Sequence, residues 1–225
     1  MTDLIQEELQ RGISSLSLNC NEEMISSLLA YIDLLKKWNS AYNLLGGNES
    51  DSLVSRHILD SLSVDPYLEG NLIADIGAGA GLPGIPLAIL NPEKNFVLID
   101  SNGKKTRFMF QAKIQLGLDN ISIENSRIEH YQSIQQIDMV MCRAFSTLED
   151  VLTMLQPIFS DKCKLLAMKG NYPEEEIARL PDGFELSKAI RLNVPGSKSQ
   201  RHLIEVMRTR YGSSVSILEH DRPNN

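Results

Sequence analysis

The fold is decided by the stretch Asp75-Ile-Gly77-Ala-Gly79-Ala-Gly81-Leu-Pro83-Gly84. An apolar run, 72–76, enters this stretch, and a second apolar segment, 85–90, leaves it. Glycine is needed where the backbone takes positive φ or touches a ligand closely, and proline suits the first turn of a helix because its missing amide would be unpaired there. A strand that passes through such a loop into a helix forms a pocket beyond the carboxyl end of a sheet. We therefore expect a strand, a ligand-binding loop and a helix in this order.

Short apolar runs alternate with helical segments along the rest of the chain. The sequence predicts strands at 96–100, 121–123, 137–142 and 164–168, and helices at 104–116 and 147–159. Repeated alternation of this kind is typical of parallel strands with helices on both faces. Two further strands, 185–192 and 202–207, are joined by a polar turn and are expected to form an antiparallel hairpin at the sheet edge. The predicted fold class is α/β and Rossmann-like, with a seven-stranded, mostly parallel sheet.

The first 65 residues predict a helical extension packed on this core. Apolar residues recur at helical spacing in 4–13 and 24–38, and Asn21 is placed to cap the second helix. A turn-rich break, 43–52, precedes a third helical piece, 52–62, in which Arg56 and Asp60 are four residues apart and can pair on one face. We divide the chain into the extension, 1–65, an α/β domain, 66–210, and a flexible tail, 211–225.

Composition narrows the classes of function. With 225 residues, 42% of them hydrophobic and 23% charged, the chain suits a globular protein with a substantial core. Its apolar stretches are too short to span a bilayer, and its acidic N-terminus is unlike a secretory signal. The net charge of −7 argues against tight, non-specific binding of nucleic acid. The three cysteines and four histidines lack metal-ligand spacing, so we expect a cytoplasmic protein without a metal ion.

Two cofactors compete for the loop. Gly79, Gly81 and Gly84 fit the GxGxxG pattern of dinucleotide-binding loops, with an acid following at Asp100. The register Asp75-x-Gly77-x-Gly79-x-Gly81 instead fits a methyltransferase loop, whose opening carboxylate suits the cationic methionine end of S-adenosylmethionine. A carboxylate beside a pyrophosphate would repel it, so the second register is favoured. Asp100 can accept hydrogen bonds from ribose hydroxyls in either scheme, and its alternative role is to cap the helix that follows.

Several further motifs accompany the loop. They are Arg56-His57-Ile-Leu-Asp60-Ser61-Leu62, Leu82-Pro83-Gly84-Ile85-Pro86-Leu87-Ala88, Leu98-Ile-Asp100-Ser101-x-x-Lys104-Lys105-x-x-Phe108, Ser126-Arg127-Ile128-Glu129, Arg143-Ala144-Phe145, Met168-Lys169-Gly170 and Arg201-His202-Leu203. Together they resemble the bacterial small-subunit rRNA guanine-N7 methyltransferases, the RsmG or glucose-inhibited division protein B (GidB) family. The resemblance covers residues from about 43 to 208.

This resemblance implies a class I methyltransferase domain over 66–210. It implies transfer of a methyl group from S-adenosylmethionine to N7 of one guanine, guanine 527, in the 530 loop of 16S rRNA, with S-adenosylhomocysteine as the product. The family's cofactor positions fall on Gly77, Leu82, Ile128, Glu129 and Arg143. With the positions expected from the loop and the second strand, the predicted cofactor set is Asp75, Gly77, Gly79, Gly81, Leu82, Asp100, Ile128, Glu129 and Arg143.

Guanine N7 already carries a free lone pair, so we expect no general base. Arg143 and Lys169 end successive predicted strands and are the candidates for catalytic positioning. A fixed guanidinium could bind the cofactor carboxylate, an RNA phosphate or guanine O6, whereas the alternatives are a helix-capping arginine and a surface lysine. The candidate RNA contacts are Arg56, His57, Lys169 and Arg201, although His57 could equally be a packing residue.

The expected partner is 16S rRNA within the small ribosomal subunit or a precursor, bound by a monomeric enzyme through shape more than through dense phosphate contact. One alternative is a small-molecule methyltransferase with a closed apolar pocket. A second is an NAD-dependent oxidoreductase that uses Gly79-x-Gly81-x-x-Gly84. A third is a non-enzymatic binding module, which the intact glycines, Asp100 and Arg143 disfavour.

Overall fold

The computed structural model describes residues 2–45 and 52–209. Its seven strands are β1 Leu72–Ile76, β2 Asn95–Ile99, β3 Ile121–Glu124, β4 Met139–Arg143, β5 Lys164–Lys169, β6 Phe184–Leu192 and β7 Arg201–Arg208. They form one sheet in the order β3-β2-β1-β4-β5-β7-β6. Strands β1 to β5 pair in parallel, whereas β7 pairs antiparallel with both β5 and β6. The predicted fold class and its antiparallel edge hairpin are confirmed.

The helices are α1 Thr2–Ser15, α2 Glu22–Tyr42, α3 Asp60–Leu62, α4 Gly84–Leu90, α5 Gly103–Leu116, α6 Leu148–Leu155 and α7 Glu174–Ala178. Asn21 caps α2 as predicted, because its side-chain oxygen accepts from the amide of Met24 at 2.8 Å. Gly117 ends α5 with φ 64°, also as predicted. Helix α6 is shorter than the predicted 147–159, and α7 was not predicted. No helix within the described ranges is long and apolar enough to cross a membrane.

The sheet is buried on both faces by two apolar clusters. Strand β1 shows how the pleat divides them, since Ile73 belongs to the cluster beneath α2, α4 and α5, and Ala74 and Ile76 belong to the cluster beneath α6. Alternation therefore places Asp75 on the face that carries the N-terminal helices. That position matters for the loop that follows β1.

The N-terminal helices share the core of the sheet. Apolar residues of α1 and α2 lie in the same buried cluster as Ile73 and Leu98. Trp38 and Tyr31 of α2 pack against the ring of Phe108 on α5, with centroid distances of 5.6 and 6.2 Å. The division at residues 65 and 66 stays a prediction, and the predicted tail, 211–225, lies outside the described residues.

The third helical piece differs in geometry from the expected α-helix. Val54–Leu59 form a π-helix that runs directly into α3. Because a π-helix closes hydrogen bonds over five residues, residues four apart no longer stack on one face. The expected pairing of Arg56 with Asp60 is therefore wrong. Asp60 forms its ion pairs with Arg143 and Arg201 instead.

Candidate active site

The loop from Gly77 to Pro83 is held by hydrogen bonds from three sides. The amide of Ala78 donates to the carbonyl of Ile99 at the end of β2, at 3.1 Å. The amide of Gly79 donates to Asp100 Oδ2 at 2.8 Å, and the hydroxyl of Tyr31 donates to the carbonyl of Ala80 at 2.6 Å. The loop is therefore fixed both by the neighbouring strand and by helix α2.

Gly77 shows why this loop needs glycine. Its φ is 64°, a region that is costly for residues with a side chain. A Cβ at this position would also collide with the ring of Phe145, which follows β4. Phe145 therefore lies directly against the backbone of the loop.

Asp100 lies at the carboxyl end of β2 and is nearly buried. Its Oδ1 accepts from the amide of Asn102 at 2.8 Å, and its Oδ2 accepts from Gly79. The cap of α5 is Asn102, whose side chain accepts from the amides of Lys104 and Lys105. The helix-capping alternative for Asp100 is thus taken by another residue, and its carboxylate stays at the cavity wall.

Two adjoining cavities open over the loop. A cavity of about 390 Å³ contains Asp100, Ile128 and Glu129 in its wall. A cavity of about 490 Å³ contains all four predicted RNA contacts and both predicted catalytic residues; these are Arg56, His57, Arg143, Lys169 and Arg201. Both walls include Gly77, Lys105 and Ala144, so the two spaces meet above the loop.

The smaller cavity suits a nucleoside. The carboxylate of Asp100 can accept from ribose hydroxyls, and Ile128 offers an apolar surface for a base. Ser126 Oγ lies in the same wall, is buried, and has no hydrogen-bond partner among the described residues. A buried hydroxyl is seldom left unpaired, so a polar group of a bound ligand would complete this site. These residues fit the adenosine part of S-adenosylmethionine.

Asp75 is fully buried behind the loop, at 0% exposure. Its Oδ2 accepts from the amide of Gly84 at 2.8 Å, and its Oδ1 has no partner in the described part of the chain. Burial raises the pKa of Asp75 to about 7, against the lowering effects of the Gly84 amide and of Arg143. Asp75 is not in the wall of either cavity, so its charge would act on a cofactor through the loop.

The larger cavity has a cluster of charged side chains at its wall. Arg143 Nη1 lies 3.2 Å from Asp60 Oδ2 and 3.4 Å from His57 Nδ1. Arg201 Nε donates to Asp60 Oδ1 at 2.8 Å. Burial lowers the pKa of His57 to about 4, helped by the positive charges of Arg143, Arg56 and Arg201. His57 is therefore neutral at pH 7 and adds no charge to the cluster.

Lys169 lies in the same wall with a fixed ammonium group. Its Nζ donates to Glu176 Oε2 at 2.7 Å and to the carbonyl of Ser146 at 2.8 Å. Glu176 is on α7, and its Oε2 also accepts from the amide of Leu148 at the start of α6. Lys169 is thus neither a free surface lysine nor a fully available cation.

Four of these residues had no role in the sequence analysis. They are Tyr31, Lys105, Ser126 and Glu176. Both Lys105 and Ser126 belong to the motifs that carry the family resemblance, and the position of Ser126 two residues after β3 was a usable signal. Tyr31 belongs to a helical apolar stripe and Glu176 to an acidic run, and nothing local distinguishes either. Within residues 2–45 and 52–209, no group of three or more His, Cys, Asp or Glu side chains is arranged to hold a metal ion.

Known proteins match this chain closely. A family model described as GidB, rRNA small subunit methyltransferase G, matches residues 24–204. A protein named ribosomal RNA small subunit methyltransferase G from Nitrosococcus oceani is 45% identical over 212 residues, which are 94% of this chain and 99% of that protein. A protein of the same name from Pseudomonas syringae pv. tomato is 48% identical over 203 residues, 90% of this chain and 96% of that protein.

Solved structures agree on the fold. A methyltransferase from Geobacter sulfurreducens superimposes with a TM-score of 0.55 at 14% identity, over 80% of this chain and 89% of that one. A SAM-dependent methyltransferase from Aquifex aeolicus gives 0.53 at 16% identity, over 76% and 97%.

The family match confirms the predicted cofactor, S-adenosylmethionine, to which the smaller cavity is suited. The match spans the loop, both cavities and most of the helical extension. The chain therefore belongs to the GidB family, the rRNA small subunit methyltransferases G.

Proposed function

We propose that this enzyme transfers a methyl group from S-adenosylmethionine to N7 of a single guanine, guanine 527, in the 530 loop of 16S rRNA. The observation that carries the proposal is the junction of two cavities, one suited to a nucleoside and one bordered by Arg56, Arg143, Lys169 and Arg201. Relatives of this chain are named for methylation of small-subunit ribosomal RNA. A base that enters the cationic cavity would meet the cofactor above Gly77.

The residues of the larger cavity suit a nucleophile that needs no deprotonation. The N7 lone pair forms the new bond to carbon while the carbon–sulfur bond breaks, and its electron pair stays on sulfur. Of the described residues in this wall, Asp60 is engaged by two arginines and His57 has a pKa of about 4. Neither is matched to proton abstraction near pH 7. We infer that these groups position the reactants, an effect worth several kcal/mol in general.

The cofactor supplies an activated methyl group on a cationic sulfur when it is bound. In our proposal Asp100 holds the ribose, Ile128 and Glu129 border the adenine, and the Gly77 loop cradles the methionine part. Arg143 lies where the two spaces meet, and Lys169 faces the base from β5. Asp75 stabilises the positive charge from behind the loop.

The cationic wall favours RNA over a small apolar substrate. The wall of the larger cavity is mixed: cationic side chains such as Arg143 and Arg201 lie beside apolar ones such as Met168, whereas the small-molecule alternative requires a closed apolar pocket. The match to a family of rRNA methyltransferases disfavours the oxidoreductase alternative, which rested only on the glycine pattern of the loop. We further propose that the substrate is an assembled or precursor subunit, and that the enzyme acts as a cytoplasmic monomer. Equal methylation of unstructured RNA and of small subunits would contradict recognition by shape.

The decisive experiment uses labelled S-adenosylmethionine and small-subunit RNA from cells that lack this gene. The proposal expects one labelled nucleotide, and mapping should place the label on N7 of guanine 527. Label on another base, or none in the presence of small subunits, would overturn the proposed specificity. A parallel reaction without RNA tests the small-molecule alternative.

A further inference from the structure

A single buried carboxylate connects three separate elements at the larger cavity. Asp60 lies in α3, and its side chain is 4% exposed. Its Oδ2 is 3.2 Å from Arg143 at the end of β4, and its Oδ1 is 2.8 Å from Arg201 at the start of β7. Each carboxylate oxygen therefore holds one guanidinium.

The two arginines come from strands that are not neighbours in the sheet. Strand β5 lies between β4 and β7 in the sheet, so the backbones of Arg143 and Arg201 are separated by about two strand spacings, roughly 10 Å. The side chains converge on Asp60, while both arginine side chains remain partly exposed, at 19% and 23%. All three residues lie in the wall of the larger cavity, and the carboxylate is the most buried of the three side chains.

The charges of this trio do not cancel. One carboxylate offsets one guanidinium, which leaves one net positive charge at the cavity wall. A guanidinium has five N–H donors. Within the described ranges, Arg143 makes its hydrogen bonds through Nη1, and Arg201 makes its hydrogen bonds through Nε and Nη1. Donors thus remain for a ligand anion, and a rigid arginine pair matches the oxygens of a phosphate group.

We propose that Asp60 is a positioning residue that fixes Arg143 and Arg201 as a phosphate-binding pair for the RNA strand at the active site. This proposal rests on the proposed function, since it assumes an RNA substrate. The role of Asp60 in this proposal lies in its two ion pairs with the arginines. Asp60 acts by holding two cations from non-adjacent strands at one place, so that a phosphate meets a preformed site.

The test compares RNA affinity and its salt dependence in wild-type enzyme and in Asp60→Asn, which keeps the size of the side chain and removes its charge. We expect the variant to bind small-subunit RNA about tenfold more weakly, the effect of one lost charge-assisted contact. The slope of log affinity against log salt should fall by about 0.7, as expected for one phosphate contact with single-stranded RNA. Asp65→Asn is the matched control, because Asp65 bonds to Asn91 away from both cavities.

A double variant separates positioning from general stability. If Asp60 acts through Arg201, the combination of Asp60→Asn with Arg201→Gln should lower affinity and slope no further than Arg201→Gln alone lowers them. Additive losses, or a wild-type slope in Asp60→Asn, would overturn the proposal. Binding is measured without methyl transfer, so the result is independent of which guanine atom is modified. Absence of RNA binding by the wild-type enzyme would instead refute the proposed function.

If Asp60→Asn fails to fold, a second variant, Arg201→Lys, tests the same proposal. Arg201→Lys keeps the charge but lacks the Nε group that donates to Asp60 Oδ1 and the planar guanidinium that suits a phosphate. A fixed arginine pair predicts that Arg201→Lys loses nearly as much RNA affinity as Arg201→Gln. Wild-type affinity in Arg201→Lys would show that charge alone suffices, and the positioning role of Asp60 would be refuted.

Discussion

Removal of one hydroxyl group, in Tyr31→Phe, should weaken cofactor binding, because this residue of α2 bonds to the loop after β1. The hydroxyl of Tyr31 donates to the carbonyl of Ala80 at 2.6 Å, and both residues are buried. Burial also raises the pKa of this tyrosine far above its ordinary value, so the hydroxyl keeps its proton and remains a donor. The substitution leaves the Ala80 carbonyl without that partner while the ring still packs against Phe108.

The expected magnitude follows from that single contact. An unpaired buried carbonyl costs about 1–3 kcal/mol. For a chain of this size a loss of 1 kcal/mol lowers the melting temperature by about 2–4 °C. The lost hydrogen bond also makes the loop after β1 more mobile, so part of the free energy of cofactor binding is used to order the loop. A loss of about 1 kcal/mol from the free energy of binding raises Kd about fivefold.

The assay is calorimetric titration of the purified enzyme with S-adenosylhomocysteine. We expect Kd to rise about five- to tenfold in Tyr31→Phe, with kcat at saturating cofactor nearly unchanged. Tyr42→Phe is the control, because Tyr42 ends the same helix with an exposed side chain. A lower melting temperature with an unchanged Kd would refute the reasoning, since the hydroxyl would then stabilise the fold without organising the loop.

Three further predictions address the loop and the arginine beside it. Gly77→Ala should weaken S-adenosylhomocysteine binding by roughly tenfold or more in the same titration. The alanine backbone would be strained at φ 64°, and its Cβ would displace Phe145. Normal binding would show that the loop tolerates a side chain. Asp75 retains a proton below pH 7, so its contribution to stability is lost as pH rises towards 7. Binding of the cationic cofactor should displace that proton. Calorimetric titrations at about pH 6.5 in buffers of different ionisation enthalpy should detect the released proton in wild-type enzyme but not in Asp75→Asn. Arg143→Ala should lose methyl transfer and keep its circular dichroism spectrum, whereas wild-type turnover would remove Arg143 from the site.

Local signals in the sequence were sufficient for most of the fold. Alternating apolar runs and helical segments predicted the parallel strands, because each element must bury one face against the next. Asn21 and Gly117 were predicted as helix ends because each interacts with backbone groups only a few residues away along the chain. The edge hairpin followed from two apolar runs and a polar turn. These features depend on neighbours along the chain.

The features that sequence did not predict depend on distant partners. The π-helix, 54–59, has the same apolar spacing as an ordinary helix over so short a length. Asp60 is paired with residues 83 and 141 positions away, and Tyr31 is bonded 49 positions away. Glu176 holds Lys169 from a five-residue helix with no buried side chain. Only the folded chain brings such groups together, so no local pattern distinguishes them from surface residues.

The charge of Asp75 gives a physical reason for the choice between the two cofactors. In the protein alone this carboxylate is buried with one oxygen unpaired, and burial raises its pKa to about 7. A dinucleotide pyrophosphate on the other side of the loop would place more negative charge beside it and raise the pKa further. A ligand with cationic ammonium and sulfonium groups has the opposite effect, because it stabilises the ionised form that burial disfavours. The carboxylate therefore disfavours the first ligand and favours the second, which agrees with S-adenosylmethionine as the cofactor of this family.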